Sequence, residues 1–192
     1  MSRASFQIDV PDLVLARARR GDARALETIY RAFERPAFTL ALRIVGDAES
    51  AREVVHDAML RLIERIGQFR GDAPFWGWLR QIVVNESLMR LRKDKGLAFD
   101  DLDSRDEPQG DAPPPWLFAD AARLERTLMR LPALTRSVLW LYHVEEYTHQ
   151  EIAEMTGKSV SFSKSQVARG ASRLRRLIET ENREAAPCMA AI

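Results

Sequence analysis

The sequence predicts an all-α protein of two small helical domains joined by an acidic, flexible linker. Apolar residues recur at three- and four-residue steps through most of the 192 residues, which is the period of amphipathic helices. No alternation of apolar and polar residues continues far enough to indicate a strand. Residues 94–117 interrupt the helical period with an acidic, proline-rich stretch. We therefore expect a first domain at 12–93, a linker at 94–119, a second domain at 120–180 and a short tail at 181–192.

Charge is divided along the chain, although the formal net charge is only +1. Lys and Arg outnumber Asp and Glu by 16 to 12 in residues 1–93 and by 11 to 8 in residues 123–192, whereas residues 94–122 hold 2 against 8. Two basic blocks around an acidic one indicate contacts with a polyanion at both ends. Charge alone is equally compatible with a solvated linker between two ordinary surfaces.

Several functional classes are disfavoured by what the sequence lacks. Its single cysteine, Cys188, allows no disulfide framework within the chain. His56, His143 and His149 share no metal-ligand spacing, so we expect no metal site and no cofactor. No apolar run approaches a membrane span or a signal peptide, and no carboxylate cluster, nucleophile with base or phosphate loop indicates an enzyme. We expect a cytoplasmic protein without membrane insertion.

The first two helices are predicted from their apolar positions. An amphipathic helix is expected from Leu13 to about Val45, kinked or split at Pro36. Ser50 and Glu53 form a capping-box pattern for a second helix that reaches Ile66. That helix is expected to bury Val55, Ala58, Met59, Leu62 and Ile66 and to leave Glu53, Asp57, Arg61 and Glu64 facing water or a partner.

A third helix, expected from about Phe75 to Arg92, is apolar around most of its circumference and should be mostly interior. Trp78, Gln81 and Asn85 fall on one face of it. An aromatic ring with neighbouring amides suits unpaired bases, which stack on the ring and accept or donate hydrogen bonds. Both Trp76 and Trp78 also fit a core, and for Trp76 the core is the favoured interpretation.

The carboxy-terminal part has the pattern of a helix-turn-helix. Pro132 opens one helix, and the capping box of Thr148 and Glu151 starts a short one that ends at Thr156-Gly157. In the helix that follows, Val167, Ala171, Leu174 and Ile178 form a core-facing stripe, and Ser165, Arg169, Ser172, Arg173 and Arg176 lie opposite. Such a helix enters the major groove, with Lys164, Ser165, Gln166 and Arg169 as base-edge candidates. Ser161 and Ser163 offer hydroxyls near its start. The alternative is an ordinary surface helix of a bundle.

Together the two halves resemble a sigma factor of the sigma-70 family, extracytoplasmic-function group. The resemblance is carried by "ESAREVVHDAMLRLIERIGQFRGDAPFWGWLRQIVVNESLMRLRKDK" and, after the linker, by "LMRLPALTRSVLWLYHVEEYTHQEIAEMTGKSVSFSKSQVARGASRLRRLIE". It implies that residues 12–93 are the sigma-2 domain and residues 120–180 the sigma-4 domain. It also implies that the 50–66 helix docks on core RNA polymerase, through Glu53, His56, Asp57, Arg61 and Glu64.

The same resemblance implies two DNA contacts. The family pattern FxxWLxxIxxN is matched by Phe75, Trp78, Leu79, Ile82 and Asn85, and it implies minus-10 recognition and melting by Trp78, Gln81, Asn85, Glu86 and Ser87. The carboxy-terminal helix would read the minus-35 element through Ser161, Phe162, Ser163, Lys164, Ser165, Gln166, Arg169 and Arg173. Where the family commonly has "VGTVKSRLHRA" this chain has "VSFSKSQVARG", so Phe162, Ser163, Gln166, Ala168 and Gly170 depart from the family.

The function implied is a non-enzymatic initiation factor that directs core RNA polymerase to promoter DNA. An anti-sigma factor is the further partner that membership of the group implies. The acidic linker, through Asp100, Asp101, Asp103, Asp106 and Glu107, would contact the basic RNA channel of the polymerase. Two other functions remain open: a stand-alone helix-turn-helix regulator that binds DNA without polymerase, and a helical adaptor whose basic faces meet acidic proteins.

Overall fold

The computed structural model describes residues 8–94 and 121–185, and all regular structure in these residues is helical. The helices are α1 (Asp12–Ala18), α2 (Ala23–Val45), α3 (Ala48–Arg65), a 3₁₀ turn (Ile66–Gln68), α4 (Phe75–Asp94), α5 (Ala121–Met129), α6 (Ala133–His143), α7 (His149–Thr156) and α8 (Val160–Ala185). The chain divides into two compact units between residues 98 and 99. The all-α prediction is confirmed. The predicted linker contacts and Cys188 lie outside the described residues.

The expected first helix is two helices, α1 and α2. The chain leaves α1 through Gly21, whose φ of 80° lies in the left-handed region that glycine adopts without strain. Asp22 then caps α2, because its Oδ1 accepts a hydrogen bond from the Ala25 backbone N–H at 3.0 Å. The expectation was a kink or a split at Pro36. The helix is not split there, because α2 continues through Pro36 with Phe33 and Ala37 fully buried on either side, and a kink stays a prediction.

The start of α3 also differs from the sequence prediction. The cap is Asp47, whose Oδ1 accepts a hydrogen bond from the Ser50 N–H at 2.8 Å, and the helix begins at Ala48. The capping box of Ser50 and Glu53 was therefore wrong, because Ser50 already lies inside the helix. The predicted stripe is confirmed: Val55, Ala58, Met59, Leu62 and Ile66 are all buried.

The core of the amino-terminal unit lies among α2, α3 and α4. Leu79, Val83, Val84 and Leu88 of α4 are essentially inaccessible to solvent, which confirms the prediction of a mostly interior helix. None of the helices among the residues described is long and apolar enough to cross a membrane.

The carboxy-terminal unit is a bundle of α5 to α8 around Leu128, Leu131, Leu139, Leu174 and Ile178. The predicted stripe on α8 is confirmed, since Val167 and Ala171 pack against this cluster. The predicted capping box is also present: Thr148 Oγ1 accepts from the Glu151 N–H at 3.2 Å, and Glu151 Oε2 accepts from the Thr148 N–H at 2.7 Å. Gly157, with a φ of 67°, ends α7 and leads into α8.

Candidate nucleic-acid interface

The outward face of α8 begins at its amino end. Ser159 caps the helix, because its Oγ accepts a hydrogen bond from the Phe162 N–H at 3.0 Å. Ser161 and Lys164 are exposed, and Phe162 is half-buried with the Lys158 ammonium 5.8 Å from its ring centroid. Small hydroxyls and cations thus occupy the first turns, where a helix in the major groove meets base edges.

Arg169 lies along α8 against Ser165, one turn earlier. Its Nη2 donates to Ser165 Oγ, and its Nε lies 3.5 Å from the Ser165 carbonyl oxygen. Both side chains are half-buried, whereas Arg173 and Arg176 further along are exposed. Ser165 therefore holds the guanidinium close to the helix surface, in a defined position before any partner binds.

Two candidates face inward, and the expectation that they belong to the exposed face is corrected. Ser163 is fully buried, and its Oγ lies 3.0 Å from Nδ1 of His149 at the start of α7. Gln166 is 5% exposed, and its Oε1 accepts a hydrogen bond from Thr135 Oγ1 of α6 at 2.8 Å. Both lie on the side of α8 that packs on the bundle, so neither is presented to a ligand.

Gly170 of α8 lies against Thr135 and Leu139 of α6. A Cβ at this position would lie 2.7 Å from Thr135 Cγ2 and 2.8 Å from Leu139 Cδ1. Real Cβ contacts are never that short, so an alanine would force the two helices or these side chains apart. The residue that departs from the family at this position is thus a packing residue.

Two histidines flank the connection between α6 and α7: His143 ends α6, and His149 begins α7. The His149 ring stacks on Tyr142 with centroids 4.3 Å apart and 11° between the planes. Burial lowers the pKa of His149, and the nearby Lys164 lowers it further. Burial also lowers the pKa of His143, which lies beside His149. At neutral pH both imidazoles are neutral, and the positive charge of this region comes from Lys and Arg.

The predicted minus-10 residues of α4 separate into exposed and buried members. Gln81 and Asn85 are exposed, and Trp78 is half-buried against Phe69 and Phe75, with ring centroids 5.5 and 5.6 Å away. Trp76 stacks on Phe33 at 5.8 Å with the planes 3° apart, so it packs on the core as favoured from the sequence. Trp78, Gln81 and Asn85 thus offer an aromatic edge and two amides on one side of the helix.

Glu86 and Ser87 have intramolecular partners. Ser87 is fully buried and donates its hydroxyl to the Val83 carbonyl oxygen at 2.7 Å, which corrects its expected place in a DNA-binding surface. The Glu86 side chain is 13% exposed, and its Oε1 lies 3.5 Å from Arg61 Nε of α3. Glu86 therefore connects α4 to α3 in this structure.

The exposed face of α3 carries all five predicted polymerase-binding residues: Glu53, His56, Asp57, Arg61 and Glu64. Arg61 pairs with Glu64 at 3.0 Å, and Glu53 pairs with Arg90 of α4. A groove of about 460 Å³ runs between α3 and α4 beside them.

Sequence reasoning missed the exposed apolar residues of the α3 face and of the neighbouring groove. Leu60 is 48% exposed, Ile63 49% and Met89 51%, and Leu60 and Met89 line the groove. A signal was available, because Leu60 and Ile63 fall outside the buried stripe of α3. Apolar side chains among paired charges are typical of a surface that another protein covers.

Comparison with known proteins finds one matching family for each of the two units, in the same order along the chain. The profile Sigma-70 region 2 matches residues 29–96, and the profile Sigma-70, region 4 matches residues 121–174. The ECF RNA polymerase sigma factor SigM of Mycobacterium tuberculosis is 33% identical over 172 residues, which cover 86% of this chain and 83% of that protein. The chain belongs to the extracytoplasmic-function group of the sigma-70 family.

Other relatives of this sigma factor are more distant. The RNA polymerase sigma-H factor of Pseudomonas aeruginosa is 26% identical over 184 residues, covering 90% of this chain and 95% of that one. Among solved structures, the sigma factor RpoE from Bartonella quintana, crystallised with the anti-sigma factor NepR, aligns with a TM-score of 0.53 at 18% identity, covering 80% of this chain and 96% of that one. This likeness concerns the fold. The region 2 match contains α3 and α4, and the region 4 match contains the first turns of α8.

Proposed function

We propose that this sigma factor binds core RNA polymerase, directs it to promoters with minus-35 and minus-10 elements and assists the melting of the DNA. The observation that carries the proposal is the occurrence of both sigma-70 regions in one chain, in order, each with an exposed surface of fitting chemistry. The protein acts in the cytoplasm and without catalysing a reaction, because the polymerase supplies the chemistry. Residues 12–93 form its sigma-2 domain and residues 120–180 its sigma-4 domain.

Polymerase binding is assigned to the exposed face of α3. Glu53, His56, Asp57, Arg61 and Glu64 supply charge, and the exposed Leu60 and Ile63 supply apolar area among them. Protein interfaces of ordinary size combine an apolar centre with a charged rim, and this face offers both.

Promoter contact is assigned to α8 and α4. On α8, Ser161, Lys164, Ser165, Arg169 and Arg173 lie outward, at the start and along the side of a helix-turn-helix recognition helix. On α4, the Trp78 ring with the Gln81 and Asn85 amides receives a base of the minus-10 element. Flipping a base costs a few kcal/mol, so a binding site formed in advance lets promoter binding contribute to melting.

An anti-sigma factor is the proposed regulatory partner. The solved RpoE relative was crystallised with one, and the two proteins share a fold. By that similarity, an anti-sigma factor would hold this protein inactive by covering surfaces that polymerase needs.

The experiment is run-off transcription with purified core polymerase, with and without this protein, on a library of candidate promoters. We expect start sites that depend on the protein. Transcription from them should fall with Arg169→Ala and should be unchanged with the control Arg183→Ala, which replaces an exposed arginine in the last turn of α8. No protein-dependent start site would refute the proposal. Specific duplex binding without polymerase would identify a stand-alone regulator, and transcription unaffected by Arg169→Ala and Asn85→Ala would favour an adaptor.

A further inference from the structure

The side of α8 that faces the bundle carries polar and small residues where a helix of this kind ordinarily packs apolar ones. Ser163, Gln166, Gly170, Leu174 and Ile178 are all buried and follow one another at steps of three and four. Leu174 and Ile178 belong to the leucine-rich core. Ser163 and Gln166 lie in the turns that carry the exposed Ser161 and Lys164, and Gly170 lies one turn further on. The amino-terminal part of α8 therefore packs on the bundle through polar and small residues, whereas its carboxyl-terminal part packs through apolar ones.

Each of these three residues makes a specific contact with another helix. Gln166 accepts from Thr135 of α6 at 2.8 Å, and Ser163 lies 3.0 Å from His149 of α7. Gly170 lies so close to Thr135 and Leu139 that a Cβ would fit only if these side chains shifted. Buried hydrogen bonds are directional, and leaving one partner unsatisfied costs more than the bond itself contributes. Apolar contacts tolerate sliding. The hydrogen bonds and the close contact at Gly170 instead fix the rotation of α8 and its position along its own axis relative to α6.

We infer that Gln166 and Thr135 set the minus-35 base preference by fixing the position of α8 on α6, without either residue contacting a base. Gln166 and Thr135 are 5% and 6% exposed and bond to each other through Oε1 and Oγ1, so little of either side chain is presented to DNA. The exposed Ser161 and Lys164, together with Arg169, read the bases from a position that the buried pair determines. The inference rests on the proposed function and adds a positioning role to it.

The test uses the full chain with core polymerase and a promoter library randomised at the minus-35 element. The decisive variant is Thr135→Val, because Thr135 lies on α6 and loses its hydroxyl with little change of volume. We expect Thr135→Val and Gln166→Leu to change the ranking of minus-35 sequences in the same way, by about fivefold or more at one or more base positions, the size of one good base contact. Thr135→Ser keeps the hydroxyl and should keep the wild-type ranking.

Gly170→Ala crowds the contact of α8 with Thr135 and Leu139 of α6 without removing the hydrogen bond between Gln166 and Thr135. Gly67→Ala is its control, because a Cβ at Gly67 meets nothing within 4 Å. We expect Gly170→Ala to alter the ranking and Gly67→Ala to leave it unchanged. Thermal unfolding of each variant separates a changed ranking from a general loss of folded protein: a merely destabilised variant loses activity on all sequences in proportion.

Each outcome of these measurements supports or overturns the inference. A ranking changed by Gln166→Leu but not by Thr135→Val would mean that Gln166 contacts DNA directly, and the inference would be overturned. A ranking unchanged in all the variants would overturn it as well. If Thr135→Val fails to fold, a wild-type ranking for Gly170→Ala decides against the inference, and an altered one supports it. Wild-type protein that gives no promoter-dependent start would instead refute the proposed function.

Discussion

Arg123 of α5 holds Glu181 near the end of α8, with the Arg123 Nε 3.1 Å from Glu181 Oε2. The same guanidinium donates to the Ile178 carbonyl oxygen at 2.8 Å and to Asn182 Oδ1 at 2.6 Å. Arg130 reaches the other Glu181 oxygen at 2.9 Å. Helices α5 and α8 are thus joined by a charged network beside the leucine core.

Replacing Arg123 should loosen the end of α8. Arg123→Ala removes three hydrogen bonds, and we expect the melting temperature of the carboxy-terminal unit to fall by about 4 °C. Hydrogen exchange of the amides near Ile178 and Glu181 should accelerate. Arg31→Ala is the matched control, because Arg31 forms an exposed pair with Glu27 within α2. Equal effects of the two substitutions would contradict the role of the network.

The contribution of Glu181 should depend on pH. Its hydrogen bond with Arg123, helped by those with Arg130 and Thr127, lowers the pKa of Glu181 below its ordinary value of 4.5. A lowered pKa means that the carboxylate stabilises the fold fully above 4.5 and loses this effect as the pH falls through the lowered value. The difference in melting temperature between wild type and Glu181→Gln should therefore be largest near neutral pH and shrink in acid. A difference that grows on acidification would be inconsistent with this pairing.

The apolar part of the α3 face should matter for polymerase binding. Leu60→Ser is expected to weaken binding to core polymerase by about tenfold without lowering the melting temperature, because the side chain is half exposed in the free protein. Leu13→Ser is the control, since Leu13 is 68% exposed on α1, away from this face. Affinity is measured by titration of labelled protein with core enzyme. Unchanged affinity for Leu60→Ser would remove this residue from the interface.

Asn85 should act in promoter opening. Asn85→Ala is expected to keep near-normal polymerase binding and to reduce the extent of open complex by about tenfold or more, because a flipped base loses its hydrogen-bond partner. Permanganate reactivity of unpaired thymines measures the opening. Thr28→Ala, an exposed change on α2, should leave both properties unchanged. If Asn85→Ala lowers polymerase binding as much as opening, Asn85 has a different role.

Much of the fold could be predicted because helical periodicity reports directly on burial. The stripes of α3 and α8 and the capping box of α7 follow from residue types at fixed spacing. The break before α2 was also readable, since Gly21 and Asp22 are a helix-ending glycine followed by a capping residue. At α3 the Asp47 and Ser50 capping patterns competed, and only the structure shows that the Asp47 carboxylate accepts the Ser50 N–H.

The site was less predictable, because its buried residues are not apolar. Ser163, Gln166 and Gly170 continue the stripe of Leu174 backward by regular steps, but the polar side chains of Ser163 and Gln166 indicated a DNA-facing surface. Only the positions of Thr135 and His149, which are distant in sequence, show that these polar groups are satisfied inside the bundle. Ser87 was misplaced for a similar reason, since its hydroxyl bonds to its own helix.

The close approach at Gly170 has a consequence for protein engineering. A recognition helix transplanted alone from a relative that carries alanine there would meet the side chains of Thr135 and Leu139, and these side chains or the helix would have to shift. Helices α6 and α8 therefore form one exchangeable cassette. Promoter specificity should move between members of this family when both helices are transferred together.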